Sequence, residues 1–237
     1  MGRQQRQEIF PSPETTYASS ALPRAERAAQ RIAERQEQIL DTAVRLFAER
    51  GYSETDTQLL AEELRVGKGT IYRYFPSKRD LFLAAADRVM RLMRQRIDQQ
   101  IEGIEEPFER IGVAIRAFLT FFYDHPEFVE LLMQERAQFK DRKKPTYFVH
   151  RETNIKRWQV VYRSLIEAGR IRNIPVERIT DVIGNLLYGT MFTNYFTHEL
   201  PSVEKQAADI LDILFNGILS DGERQRRAAA DSKQQEV

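Results

Sequence analysis

Between residues 65 and 79 the segment RVGKGTIYRYFPSKR carries Arg65, Lys68, Arg73, Lys78 and Arg79 and no acid. Cations at that density suit phosphate neutralisation. Arginine can also pair with guanine through two hydrogen bonds, and a Thr methyl or Tyr ring can pack on the thymine methyl. Leu59, Leu60, Ala61, Leu64 and Val66, followed by Ile71 and Phe75, read as two short helices whose apolar residues meet across a turn of three or four residues. That is the helix-turn-helix pattern, with Lys68, Thr70, Tyr72, Arg73 and Tyr74 on the outward side of the second helix. A cluster of charge alone usually only solvates a surface; the spacing is what points to nucleic acid.

Other chemistries find little footing. Gly67-Lys68-Gly69-Thr70 hints at a phosphate-cradling loop, but that motif needs Ser or Thr after the Lys and a glycine five positions before Gly67, where Glu62 stands. His125, His150 and His198 lack metal-ligand spacing, and the chain has no cysteine. No nucleophile elbow or catalytic triad is present. No metal, cofactor or enzymatic activity is therefore expected, and a helical enzyme is kept as a remote alternative.

The 237 residues hold 36 Lys and Arg against 35 Asp and Glu, a formal charge of +1, so any basic function must be local. The start MGRQQRQEIF lacks the apolar core of a secretory signal, and a cytoplasmic protein is expected. The uncharged stretch 182–198 is interrupted by Asn185, Thr190, Thr193, Asn194 and Thr197, which disfavours a bilayer span and favours a buried or subunit-facing helix. Apolar residues recur at three- and four-residue steps, as in Ile39, Ala43, Leu46 and Phe47, and prolines punctuate the runs. The reading is all-α, with about nine helices near 32–50, 57–64, 68–74, 78–103, 107–123, 126–138, 145–168, 176–197 and 201–219. A disordered arm is expected at 1–23, a DNA-binding domain at 24–80, a larger helical domain at 81–220 and a flexible tail at 221–237. Arg3 and Arg6 in the arm, with Arg24, Arg27 and Arg31 following, read as solvated rather than as minor-groove contacts.

The run from Gln38 through Leu46, Phe47 and Gly51-Tyr52, with Thr55, Leu60-Ala61 and Gly67-Lys68-Gly69-Thr70-Ile71-Tyr72-Arg73-Tyr74-Phe75-Pro76-Ser77-Lys78, resembles the DNA-binding domain of the TetR family of transcriptional regulators over roughly residues 33–82. The resemblance implies a homodimer, probing successive major grooves of a palindromic double-stranded DNA operator with one recognition helix per subunit. It implies that Thr57 meets a phosphate and Gln58 a base edge. Lys68, Thr70, Tyr72, Arg73 and Tyr74 would form the recognition face, Lys78 would bind phosphate, and Ile71 and Phe75 would stay in the core. Two departures stand out: Arg65 occupies a turn position where the family usually has glycine, and Gly67 replaces the common Ser or Thr cap.

For the remaining two thirds, the resemblance implies a small-molecule pocket in the helical domain and a dimer interface through 176–197 and 201–219. The absence of charge from 182–198, with Gly184 and Gly189 allowing close approach, fits that interface. Phe118, Phe122, Trp158, Tyr162, Tyr188 and Phe192 are the candidate ligand contacts, with Asn185, Tyr188 and Asn194 as polar handles for a largely apolar or aromatic effector. The function expected is a ligand-responsive dimeric transcriptional regulator, a repressor. The rival is a DNA-binding protein of the same fold controlled by a protein partner or acting in chromosome organisation.

Overall fold

The structure, a computed structural model, describes residues 23–197, 201–219, 221, 222 and 225. Among the described residues there are nine helices and no strand: α1 (Arg24–Glu54), α2 (Thr57–Glu63), α3 (Lys68–Tyr74), α4 (Lys78–Ile101), α5 (Pro107–Asp124), α6 (Pro126–Gln138), α7 (Thr146–Glu167), α8 (Val176–Phe196) and α9 (Val203–Asn216). The expected N-terminal arm, most of the expected tail, and His198 lie outside the described residues. No described helix is long and apolar enough to cross a membrane.

α1 begins at Arg24, earlier than the expected residue 32. Its first turns, rich in Ala, Arg, Glu and Gln, bury nothing before Ile39. Apolar periodicity cannot reveal such a stretch, which is held by intrinsic propensity and by pairs such as Gln30 to Glu34 at 2.9 Å. At the other end Gly51 leaves helical geometry with φ +83°, so the regular helix stops where expected.

The chain divides into two units after residue 198. In the second, Ser202 caps α9 by accepting from the Lys205 amide at 3.3 Å, and Ile213 is exposed. In the first, α4 is the spine, packing against α1, α5, α6 and α7, while α8 packs on α5, α6 and α7. Proline opens α5 and α6 at positions that need no donor. Ser77 caps α4, its hydroxyl accepting from the Asp80 amide at 3.1 Å and donating to the Asp80 carboxylate at 2.7 Å. Between α6 and α7 the buried Glu135 carboxylate accepts from the Thr146 amide at 2.9 Å and from Arg142 at 2.6 Å, fixing the connection.

The turn between α2 and α3 is a Schellman closure. Val66 N–H donates to Ala61 O at 2.9 Å and Arg65 N–H to Glu62 O at 3.0 Å. Closure requires the left-handed region at Arg65, whose φ of +53° makes it the one described non-glycine residue with positive φ. A side chain there costs about 1 kcal/mol. Arg65→Gly should therefore raise the unfolding free energy by up to about 1 kcal/mol, less the extra chain entropy of glycine when unfolded. Urea denaturation of the two proteins checks this, and an unchanged midpoint would show that the strain is offset locally.

Candidate functional sites on the basic helix and in the helical body

α3 is seven residues long and is anchored by the buried Ile71 and by Phe75 just beyond its end, as expected. That leaves Tyr72 and Arg73 facing solvent, Tyr72 with 38% of its surface exposed. Arg73 lies over the Tyr74 ring at 5.4 Å, and Thr70 and Tyr74 are half-buried flanks. Asp56 caps α2 through the Gln58 amide at 2.8 Å and also receives Lys68 Nζ at 3.0 Å. The cap hydrogen bond, then Lys68, hold the Asp56 carboxyl below its ordinary range, while Asp56 raises Lys68. Both side chains are largely exposed, so the pair is worth little and separates readily when a phosphate competes. Gln58 is exposed and bonds Glu62 at 2.9 Å. Thr57 is buried, and its hydroxyl meets the Tyr72 hydroxyl at 3.0 Å, so the two act as one polar unit bridging α2 and α3.

Lys78 opens α4 and reaches back to the end of α1. Its ammonium donates to Ser53 O at 3.1 Å and sits 4.6 Å from the Tyr52 ring centre. Tyr52 in turn joins Phe47, Phe82 and Phe139 in an aromatic cluster with ring separations of 5.0 to 6.1 Å. The Tyr52 amide donates to Gln134 Oε1 on α6 at 2.8 Å. Gln134 Nε2 donates to Glu130 at 3.0 Å, and the other Glu130 oxygen accepts from Tyr195 of α8 at 2.7 Å. That charged acceptor pushes the Tyr195 hydroxyl up to about 12. A continuous polar chain thus runs from α8 through α6 to the corner that precedes the helix-turn-helix.

The helical body encloses a cavity of about 160 Å³ among α4, α5, α7 and α8, its walls mainly apolar, with Met90, Ile97, Ile111, Phe118 and Trp158 among them. Of the six aromatics singled out in the sequence, Phe118, Trp158 and Tyr162 line it; Phe122 packs edge-to-face with Phe118 and Phe121 instead, and Tyr188 and Phe192 pack on each other beside Tyr147 and Phe148. Of the three suggested handles, Asn185, Tyr188 and Asn194, none lines the wall; Asn185 accepts from Arg151 at 2.9 Å. The polar wall is cationic: Arg94, Arg110, Arg151 and Arg157, with Asp98 and Asn154. Burial pushes the hydroxyls of Tyr147 and Tyr162 far up, so both stay neutral. Sequence reading missed these arginines, though a signal existed. Arg94 interrupts the stripe Met90, Ile97, Ile101, and Arg151 the stripe Tyr147, Ile155, Trp158, Tyr162, each at helical spacing. Arg151 lies against Gly184 so closely that a Cβ there would fall 2.8 Å from its Nε.

Among the described residues no group of three or more His, Asp or Glu side chains is placed to hold a metal ion. His150 instead meets Asp87 at 2.6 Å, and His125 meets Glu127 at 3.1 Å.

Residues 39–85 match the family described as bacterial regulatory proteins, tetR family. The HTH-type transcriptional regulator HbdR of Aromatoleum sp. (strain CIB) is 38% identical over 87 residues, which are 37% of this chain and 38% of that protein. The nucleoid occlusion factor SlmA of Haemophilus influenzae is 28% identical over 111 residues, 46% of this chain and 51% of its own. The chain thus spans about two fifths to one half of the length of these curated relatives. Among solved structures, the transcriptional regulator FadR of Bacillus subtilis in complex with stearoyl-CoA superposes with a TM-score of 0.65 at 19% identity, covering 77% of this chain and 99% of that one. That likeness is one of fold, and it extends well beyond the helix-turn-helix.

Removing the Gln134 acceptor tests the join between the two regions. Gln134→Ala should cost about 1 to 2 kcal/mol, because the half-buried Tyr52 amide loses its partner. Hydrogen exchange should accelerate at the Tyr52 amide by more than the global loss accounts for; exchange slowed or unchanged there would mean that the bond contributes nothing.

Proposed function

We propose that the chain, whose residues 39–85 match the tetR family, is a ligand-responsive, dimeric transcriptional regulator, a repressor whose two copies of α3 enter successive major grooves of a palindromic operator. The observation that carries the reading is the solvent-facing pair Tyr72 and Arg73 on a helix whose opposite side is locked into the core. Residues 24–80 serve as the DNA-binding domain and 81–220 as the effector and dimerisation domain. Arg73 reads a base edge, with Thr70, Tyr72, Tyr74 and Gln58 beside it. Lys68 and Lys78 take phosphates, and Thr57 acts through the hydroxyl it shares with Tyr72.

Support for dimerisation comes from α8. Its outer side is uncharged from Val182 onward, and Val182, Leu186 and Phe196 are 57%, 39% and 65% exposed in the single chain. Such a stripe is poorly placed against water and well suited to a second copy. α9, taken by itself, exposes Ile213. The effector occupies the cavity among α4, α5, α7 and α8. Occupancy shifts α4, and Lys78 with the Tyr52 corner carries the shift to α3, changing the spacing of the two recognition helices. Such coupling requires that the ligand bind the two spacings with different affinity. The similarity to SlmA favours a second reading, DNA binding under control of a protein partner or in chromosome organisation, which needs no small-molecule response.

Fluorescence anisotropy on DNA from upstream of the chain's own gene, against scrambled DNA at two salt concentrations, tests the first reading. Salt-sensitive preference at two subunits per site is expected; equal weak binding to both DNAs would count against an operator there. On a bound operator, Arg73→Ala should cost about 1 to 3 kcal/mol and relax sequence preference, whereas Lys78→Ala should weaken all sequences and flatten the salt dependence. Equal, sequence-independent losses from both would remove the base-reading role of Arg73. Leu186→Asp should convert the dimer to monomer by light scattering while leaving the helical content unchanged, and a dimer that survives it would place the interface elsewhere.

A further inference from the structure

The cavity is not sealed. It adjoins an open cleft of about 900 Å³, and Arg94, Asp98, Ile101, Arg110 and Arg157 line both. Their charges are unequally compensated. Arg157 grips Asp98 with two bonds, at 2.9 and 3.1 Å. Deeper along the cleft, Arg88 and Arg91 are committed to Glu37, Asp41 and Asp87. Arg94 on α4 and Arg110 on α5 make no salt bridge and no side-chain hydrogen bond among the described residues, and Arg110 Nε is withdrawn from solvent without an acceptor. The remaining acids of the cleft, Glu102 and Glu105, are exposed on the connection between α4 and α5.

A buried N–H without an acceptor is costly, and an anion at this junction would give Arg110 Nε the acceptor it lacks. Arg94 and Arg110 come from two helices, and they stand where the apolar cavity meets the polar cleft. A ligand that satisfies both surfaces has two unlike ends. We propose that this junction receives an amphiphilic anion, with an apolar acyl or aryl tail in the cavity and a phosphate-bearing head in the cleft, held by Arg94 and Arg110. The cleft is far larger than a lone carboxylate needs, and guanidinium forks match phosphate oxygens in pairs. The inference rests on the cavity being the effector site and adds to it the charge and class of the effector.

Trp158 is the single tryptophan of the chain and lines the cavity, so its fluorescence reports occupancy. The full chain is titrated, below micellar concentrations, with decyl phosphate, decanoate, decanol and decanoyl-coenzyme A. Decyl phosphate should bind at least roughly tenfold more tightly than decanol, as one or two charge-assisted hydrogen bonds imply, with decanoate between them. Tighter binding of decanoyl-coenzyme A than of decyl phosphate assigns the head to a bulky phosphorylated carrier; the reverse assigns it to a simple phosphate ester. In Arg94→Gln/Arg110→Gln the preference for phosphate over decanol should shrink to within about twofold while decanol affinity is kept. Arg110→Gln alone, with thermal melting alongside, guards against a folding defect. Equal binding of decanol and decyl phosphate, a preference that survives the double substitution, or no binding of any probe would overturn the proposal. Operator binding is followed in the same samples. Probe binding that leaves DNA affinity unchanged would sink the effector reading and spare the site, whereas intact DNA binding without probe binding would do the opposite.

Discussion

The structure turns on the corner at Gly51 and Tyr52. Glycine takes φ +83° there without strain, and the kink it makes near the end of α1 presents the Tyr52 amide to Gln134 and the Tyr52 ring to Phe82 and Phe139. One residue is therefore shared between the hydrogen bonding of α6 and the core under α4. Lys78, in the first turn of α4, adds a bond to Ser53 O near the end of α1. The helix-turn-helix has little core of its own beyond Leu60, Ala61, Ile71 and Phe75. Its orientation is inherited from this corner.

A second set of interactions fixes the same pair of helices further along. Arg88 of α4, nearly enclosed, bonds Glu37 at 2.6 Å and Asp41 at 3.0 Å on α1. Burial nevertheless holds the Asp41 carboxyl above its ordinary range, because desolvation outweighs the Arg88 contact. Asp87, one residue earlier, is pulled the other way by His150 of α7. With Glu37 and Asp87 about two fifths exposed, ion pairs of this kind gain little net stability. Here they link α4 to both α1 and α7.

Much of this was legible in the sequence, for identifiable reasons. Proline at the first turn of α5 and α6 and apolar residues at helical steps located the helices to within a few residues, except where the first turns of α1 bury nothing. The strained turn at Arg65 could be read from the mismatch between residue type and required conformation. The corner at Gly51 gave only half its meaning: a glycine before an aromatic residue signals a turn, yet Gln134 and Phe139, more than eighty residues away, do not announce themselves as its partners. The cavity was read least well. Periodicity shows that Phe118, Phe122, Tyr188 and Phe192 lie on apolar faces, but not whether a given face meets a neighbouring ring or an empty space. Only Phe118 of these four lines the cavity. The arginines were overlooked because charge is ordinarily assigned to solvent.

The near-zero net charge makes the allocation of arginine informative. Against 36 Lys and Arg the chain has 35 Asp and Glu, and among α1, α4 and α7 the side chains of Arg88, Arg91 and His150 each meet a carboxylate. Other cations are unmatched or only weakly matched. On α3, Arg73 is exposed and Lys68 is held only by an exposed contact to Asp56. Arg94 and Arg110, at the boundary between apolar and polar surfaces, make no salt bridge among the described residues. One helix, α4, thus carries one cationic side chain, Lys78, in its first turn and another, Arg94, in its second half.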